Sequence, residues 1–229
     1  MSASLSAKAS DFATEVQELL DATLPGDHPV KAVEHGRRFV VRPEGAEPEP
    51  ELVPLYSDGQ ILASLRISFQ CEIDHQGKYL AISTSRFFLI SPYSRTPLVR
   101  LEFVKDSHSA PSAHWQLHAE RGAFSVLLAR SGASTPHSLA SLHLPVGGAR
   151  MRPCLEDFLE FLIRECHVDA RPEWQKAIEA GRIRWRRHQI AALVRDAPEE
   201  AIRVLEENGY TVTAGSNPRI DNIGKLTRW

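Results

Sequence analysis

Apolar and polar residues alternate along residues 98–105 (LVRLEFVK) and again along 114–120 (HWQLHAE), the period expected of half-buried strands. In the second strand this period puts Trp115, Leu117 and Ala119 on one face and His114, Gln116, His118 and Glu120 on the other. The polar segment DSHSAPSA joins the two strands. Residues 62–73 (LASLRISFQCEI) and 79–91 (YLAISTSRFFLIS) are apolar, β-branched and aromatic, and the loop between them carries Gly77, so they read as a hairpin. Residues 37–42 (RRFVVR) make a further short strand, and 138–144 another before the turn Pro145-Val-Gly-Gly.

The period then lengthens to that of a helix. Leu155, Phe158, Leu159, Leu162 and Ile163 share one stripe behind Pro153, with Glu156, Asp157 and Glu160 near the start. Pro172 opens a longer helix with Trp174, Ile178, Gly181 and Trp185 on one side, and Asp196-Ala-Pro-Glu begins a third that stops at Asn208-Gly209. Residues 122–130 read as a short helix, 11–20 as an amphipathic one capped by Ser10, and 210–213 as an edge strand. Residues 43–54 (PEGAEPEPELVP) hold four prolines and four glutamates, which predicts an extended acidic linker.

These elements predict an α+β protein in which a mainly antiparallel sheet of about five strands is packed by helices and followed by a helical carboxy-terminal region. The expected organisation is an acidic arm with a short helix over residues 1–58, a β core over 59–150, a helical region over 151–213 and a tail over 214–229. The tail is expected to be mobile unless Ile220, Ile223, Leu226 or Trp229 docks.

Composition adds little until it is divided. At 229 residues the chain can bury one sizeable core, and 42% hydrophobic with 24% charged residues is ordinary for a globular protein. No apolar run approaches a membrane span and the amino terminus lacks a signal-peptide core, so the expected location is cytoplasmic. Cys71, Cys154 and Cys166 show no CxxC spacing, which argues against a disulfide framework or a cysteine-built zinc site. The net charge of −2 conceals an asymmetry: −6 over residues 1–58, +4 over 59–150 and zero over 151–229.

Three groups of residues have the chemistry for a site. Six of the ten histidines fall between His75 and His143. Of these, His118 and His114 on the polar strand face, with Arg100 and Glu102 beside them and His143 or Glu120 within possible reach, suit general acid/base work. Positions i and i+4 of a strand lie roughly 13 Å apart, too far for one ion with ligands at about 2 Å, so no metal or cofactor is expected. Gly147, Gly148, Arg150 and Arg152 precede a helix start and suit an anion. Arg182, Arg184, Arg186 and Arg187, with Trp185 among them, suit a nucleic acid. The plain alternatives are a solvated sheet face, a glycine turn and an ion-paired helix face.

The blocks HWQLHAERGAF (114–124), SLHLPVGGAR (141–150) and PCLEDFLEFL (153–162) resemble an uncharacterised family of actinobacterial proteins, a resemblance that implies no known activity. The strand with an acidic residue, polar loop and histidine-rich return strand is similar to the small TumE-type toxins of toxin–antitoxin pairs, from which this chain departs in its long extensions. The functional expectation is an interaction protein that assembles with itself or with a neighbouring gene's product. The alternatives are a metal-independent nuclease or other hydrolase using a sheet-face histidine, and a nucleic-acid-binding module.

Overall fold

A computed structural model describes residues 4–44, 52–74, 79–94, 96–107, 110–119, 122–130, 132, 134–138, 143–146 and 150–227. Its strands are β1 (Val30–His35), β2 (Arg38–Pro43), β3 (Leu52–Ser57), β4 (Gln60–Ile73), β5 (Leu80–Ile90), β6 (Pro97–Val104), β7 (Ala113–Leu117) and β8 (Leu144–Pro145). They form one sheet in the order β1-β2-β4-β5-β6-β7-β8, with β3 also paired to β4, and every pairing among the described residues is antiparallel. The expected α+β class is therefore what forms, with more strands than the pattern alone had suggested.

The additional strands come from two places. β1 pairs with β2 through the tight turn at Gly36, whose φ of 64° suits glycine. β3 arises where the linker over 43–54 was expected: Leu52, Val53 and Leu55 lie in the sheet, and Pro54 is tolerated because β3 pairs only with β4. Asp58 and Gly59, with φ of 50° and 71°, turn β3 into β4, and the Asp169 carboxylate accepts both of their backbone N–H groups at 3.0 and 2.8 Å. Residues 45–51 and most of the strand expected over 138–144 lie outside the described residues.

One face of the sheet carries the core. Along β4, Ala63, Leu65, Ile67, Phe69 and Cys71 are buried while Ser64, Arg66, Ser68 and Gln70 alternate on the other side. Helix α1 (Leu5–Thr23) covers this apolar face with Ala9, Ala13, Val16 and Leu20, and is capped by Ser4, six residues before the expected cap. Helix α3 (Leu155–Glu165) adds Leu155, Phe158, Leu159 and Leu162. Phe158 stacks on Trp115 at 5.6 Å and meets Phe87 at 5.9 Å, and Phe87, Phe69 and Phe12 continue a row of rings under α1.

Helix α4 (Trp174–Asp196) crosses α3 and α1, burying Ile178 and Gly181. A Cβ at Gly181 would overlap the Glu156 carboxyl, so a larger residue there would have to push that side chain aside. Arg182 fastens the crossing, donating to Asp157 at 2.8 Å and Glu160 at 2.5 Å. Asp157 itself accepts the Cys154 N–H at 2.9 Å and so caps α3.

Helix α2 (Gly122–Arg130) buries no residue. Helix α5 (Pro198–Glu207) follows α4, and α6 (Ile223–Leu226) returns to it: Asn222 N–H donates to the Asp196 carbonyl at 2.7 Å and Asp221 accepts the Glu199 N–H at 3.1 Å. Residues 210–213 form no strand, because the chain leaves Gly209 beside the helices, where no sheet edge is offered. No helix among the described residues is long and apolar enough to cross a membrane.

Candidate functional site

The face of the sheet opposite the helices is polar by the same alternation that builds the core. Register places Arg66 beside Phe88 and Phe88 beside Arg100, then Ser68 beside Arg86 and Arg86 beside Glu102. Arg100 in turn faces Gln116, and Glu102 faces His114, on β7. Arg42 follows the buried Val41 on β2 and so belongs to this face, as does Arg38 two strand periods earlier. Among the described residues, five arginines and Lys105 thus stand against Glu72 and Glu102, while Lys31 and Glu44 at the β1 edge pair with each other at 2.7 Å.

Those carboxylates are already engaged. Glu72 meets Lys105 at 2.6 Å and Arg38 at 3.7 Å, while Glu102 accepts from Arg86 at 3.2 Å. Arg100 lies over the Phe88 ring at 5.0 Å, which orients its guanidinium without neutralising it. Among the described residues, Arg42 Nη1, Arg100 Nε and His118 Nε2 are shielded from solvent yet have no hydrogen-bond partner. A shielded polar atom without a partner costs free energy of about 1–3 kcal/mol, so three on one face mark a surface suited to a ligand.

The histidines cluster at the β7 end of this face. His114 is buried, and its Nδ1–H donates to the Pro111 carbonyl at 2.8 Å, which leaves Nε2 as the basic nitrogen. Its ring stands edge-on to His143 at 4.6 Å. The Gln116 amide is 2.9 Å from His143 Nε2 and donates to it, which requires a neutral imidazole. Burial, and then the charge of His114, push the His143 pKa down, with Glu102 opposing. His118 continues the β7 pairing through its N–H to the Leu98 carbonyl at 2.9 Å. Its pKa is also lowered, first by burial and next by Arg100, with Glu102 again opposing, so a neutral imidazole that can accept a proton is favoured.

The expected residues therefore divide. His114, His118, Arg100 and Glu102 meet on one patch with His143, while Glu120, Gly147 and Gly148 lie outside the described residues. Arg150 pairs with Asp196 at 2.8 Å, but Arg152 points to the helical side, where it lies over Phe103 at 3.7 Å and Trp185 at 4.6 Å. On α4, Arg182 is held by Asp157 and Glu160, Arg184 stands 3.8 Å from Glu15, and Arg186 and Arg187 are exposed.

Sequence reading missed Arg38, Arg42, Arg66 and Arg86 as members of the patch. Their signal was present, since each occupies an outward position of an alternating strand, but strand order alone brings them onto one face of the sheet. No group of three or more metal-binding side chains occurs among the described residues. Comparison with protein-family models, curated proteins and solved structures finds no match.

Proposed function

We propose that the polar sheet face binds single-stranded nucleic acid through its phosphates. The supporting observation is the excess of cations across β2, β4, β5 and β6, with Arg42 and Arg100 carrying shielded N–H groups that lack partners among the described residues. From β2 to β7 the face spans four inter-strand steps of about 4.8 Å, or roughly 19 Å, enough for a few nucleotides. Arginine suits the task because its planar donor fork matches phosphate oxygens. Such binding weakens with salt, the logarithm of affinity falling by about 0.7 per neutralised phosphate for each tenfold rise in salt.

Fluorescence anisotropy with a labelled single-stranded oligonucleotide across a salt series tests this reading. Replacing Arg42, Arg66 and Arg100 by Gln should make the salt slope shallower by about 2 and weaken binding at low salt. An unchanged slope and affinity would reject the assignment. Light scattering on the same samples separates the competing reading, assembly with a protein partner or a second copy through this face, because those substitutions would then change mass instead of oligonucleotide affinity.

The imidazole cluster favours a second, compatible reading, metal-independent phosphodiester cleavage. His118 Nε2 would take the proton of the attacking hydroxyl as its oxygen bonds to phosphorus, the bond to the leaving oxygen would break with that oxygen taking a proton from solvent water, and Arg100 would face the phosphoryl oxygens. His118→Ala should then retain binding and lose at least about a hundredfold in cleavage rate. Equal cleavage by the variant would dismiss it.

A further inference from the structure

The helical end of the molecule leaves apolar surface uncovered, away from the polar sheet face. The inward stripe of α4 holds Ile178, Gly181 and Ala192. On the far side of the helix, Ala180, Ile183, Arg187, Ile190 and Val194 follow one another at spacings of three, four, three and four residues. That alternation is the seam with which one helix meets another. No element among the described residues covers it, and Ile183, Ile190 and Val194 are 52%, 57% and 47% exposed.

Helix α5 has the same unmet face and the opposite charge. It buries no residue, although Ala201, Ile202 and Leu205 share one side, and Val204 and Leu205 are exposed. From Arg182 to Arg195, α4 carries five arginines and no carboxylate, whereas α5 carries four glutamates and one arginine. Within one copy part of this charge is already paired. Arg182 and Arg184 meet α3 and α1, Arg195 lies over Tyr79, and Arg203 holds Glu200 and Glu207. Arg186 and Arg187 at the seam, and Glu199 and Glu206 on α5, are exposed and have no ion pair among the described residues.

We propose that α4 and α5 form the interface of a symmetric homodimer, in which the seam of α4 receives α5 of a second copy and α5 is received in turn. Length and charge both select this occupant. The seam from Ile183 to Val194 runs about 17 Å, and a helix of the length of α5 runs about 15 Å. Arg186 and Arg187 meet Glu199 and Glu206, and the two-fold axis makes the contact twice, so each copy satisfies the unpaired charges of the other. Pairing α4 with α4 is disfavoured, because a parallel arrangement, or an antiparallel one centred on the seam, would set Arg187 against Arg187. Two patches of roughly 15 by 10 Å on each copy are small beside the about 800 Å² per partner of standard complexes, so the association is reversible and near micromolar.

Sedimentation velocity on the full chain across about 1–300 µM reads the assembly. Wild type should pass from monomer to dimer over that range. Arg186→Glu with Arg187→Glu, and separately Glu199→Arg with Glu206→Arg, should each weaken the dimer at least about tenfold. All four side chains are exposed, so circular dichroism of either variant should match wild type. Mixed in equal amounts, the two variants should dimerise as wild type does, because each supplies the sign that the other lacks at both contacts. Ile190→Ser should also weaken the dimer. A wild type that stays monomeric at about 300 µM overturns the proposal. A dimer indifferent to both charge reversals overturns it too, as does a mixture that stays monomeric. Oligonucleotide binding lost with Arg186 and Arg187, in a protein that does not dimerise, would assign the stripe to nucleic acid instead.

Discussion

Replacing Arg182 by Met should destabilise the protein by about 2 kcal/mol while leaving oligonucleotide binding unchanged. The side chain is 18% exposed and its partners Asp157 and Glu160 are 32% and 25% exposed, so the triad lies between a surface pair and a buried one. Surface pairs contribute about 0.2–1 kcal/mol, and breaking a buried pair costs about 3–5 kcal/mol. Coulomb's law at about 4 Å and an effective dielectric near 20 gives about 4 kcal/mol for each contact, most of which desolvation offsets. A net cost of about 2 kcal/mol corresponds to a fall in melting temperature of roughly 4–8 °C for a chain of this size.

Methionine keeps the stem packed over α3, so the loss reports the charges more than the volume. Glu160→Gln and the double variant complete a cycle whose coupling should reach about 1 kcal/mol. Desolvation alone would raise Asp157, but hydrogen bonds from Cys154 and Arg182 outweigh it, and the Arg182 and Arg164 bonds lower Glu160. Both carboxylates are therefore depressed in the folded protein. Their stabilisation is present above the unfolded carboxylate values and lost as pH falls through the folded ones, so the Met variant's deficit should shrink in acid. Thermal unfolding followed by circular dichroism at several pH values checks this. A melting change within about 1 °C, typical of a neutral surface substitution, together with lost oligonucleotide binding would show that Arg182 serves a ligand and not the helix crossing.

Phe158→Ala, at a fully buried ring between Phe87, Trp115 and Phe161, should cost about 3–5 kcal/mol in urea unfolding; a loss below about 1 kcal/mol would deny that these rings form the central contact. Glu156→Gln should gain stability relative to wild type as pH rises. Burial holds the folded carboxyl above its ordinary value, so the wild-type contribution is full below the unfolded value and lost as pH climbs through the folded one. Parallel pH–stability curves for the two proteins would refute that sign.

Much of the fold was legible because it rests on local periodicity. The alternation in 62–73 and 98–105 located β4 and β6, and the spacing of Leu155, Phe158, Leu159 and Leu162 located α3 and its buried stripe. β3 was hidden because glutamates and prolines before it outweighed the Asp58-Gly59 pair, which is itself a hairpin signal. The histidine patch was legible only as one strand face, since His143 reaches His114 through β8, a pairing with no signature of its own. Arg152 illustrates a deeper limit: two residues from Arg150 it looked like half of one anion site, yet the chain turns between them, and one pairs with Asp196 while the other enters the core side.

The two faces are also bound to each other by a single constraint. On β4, β5 and β6 every inward Leu, Ile or Phe fixes an outward neighbour, so a slip of one residue would bury Arg66, Arg86 and Arg100 and expose Leu65, Phe87 and Leu101. Burying three such cations without partners would cost far more than the total stability of a typical domain. The arginines therefore act as part of the register specification whatever they bind, and removing their charge weakens that protection even when no ligand is present. This explains why Gln, which remains polar, is the appropriate replacement when binding is tested: leucine at the same positions would make the outward face resemble the inward one and let a change in pairing pass for a loss of binding.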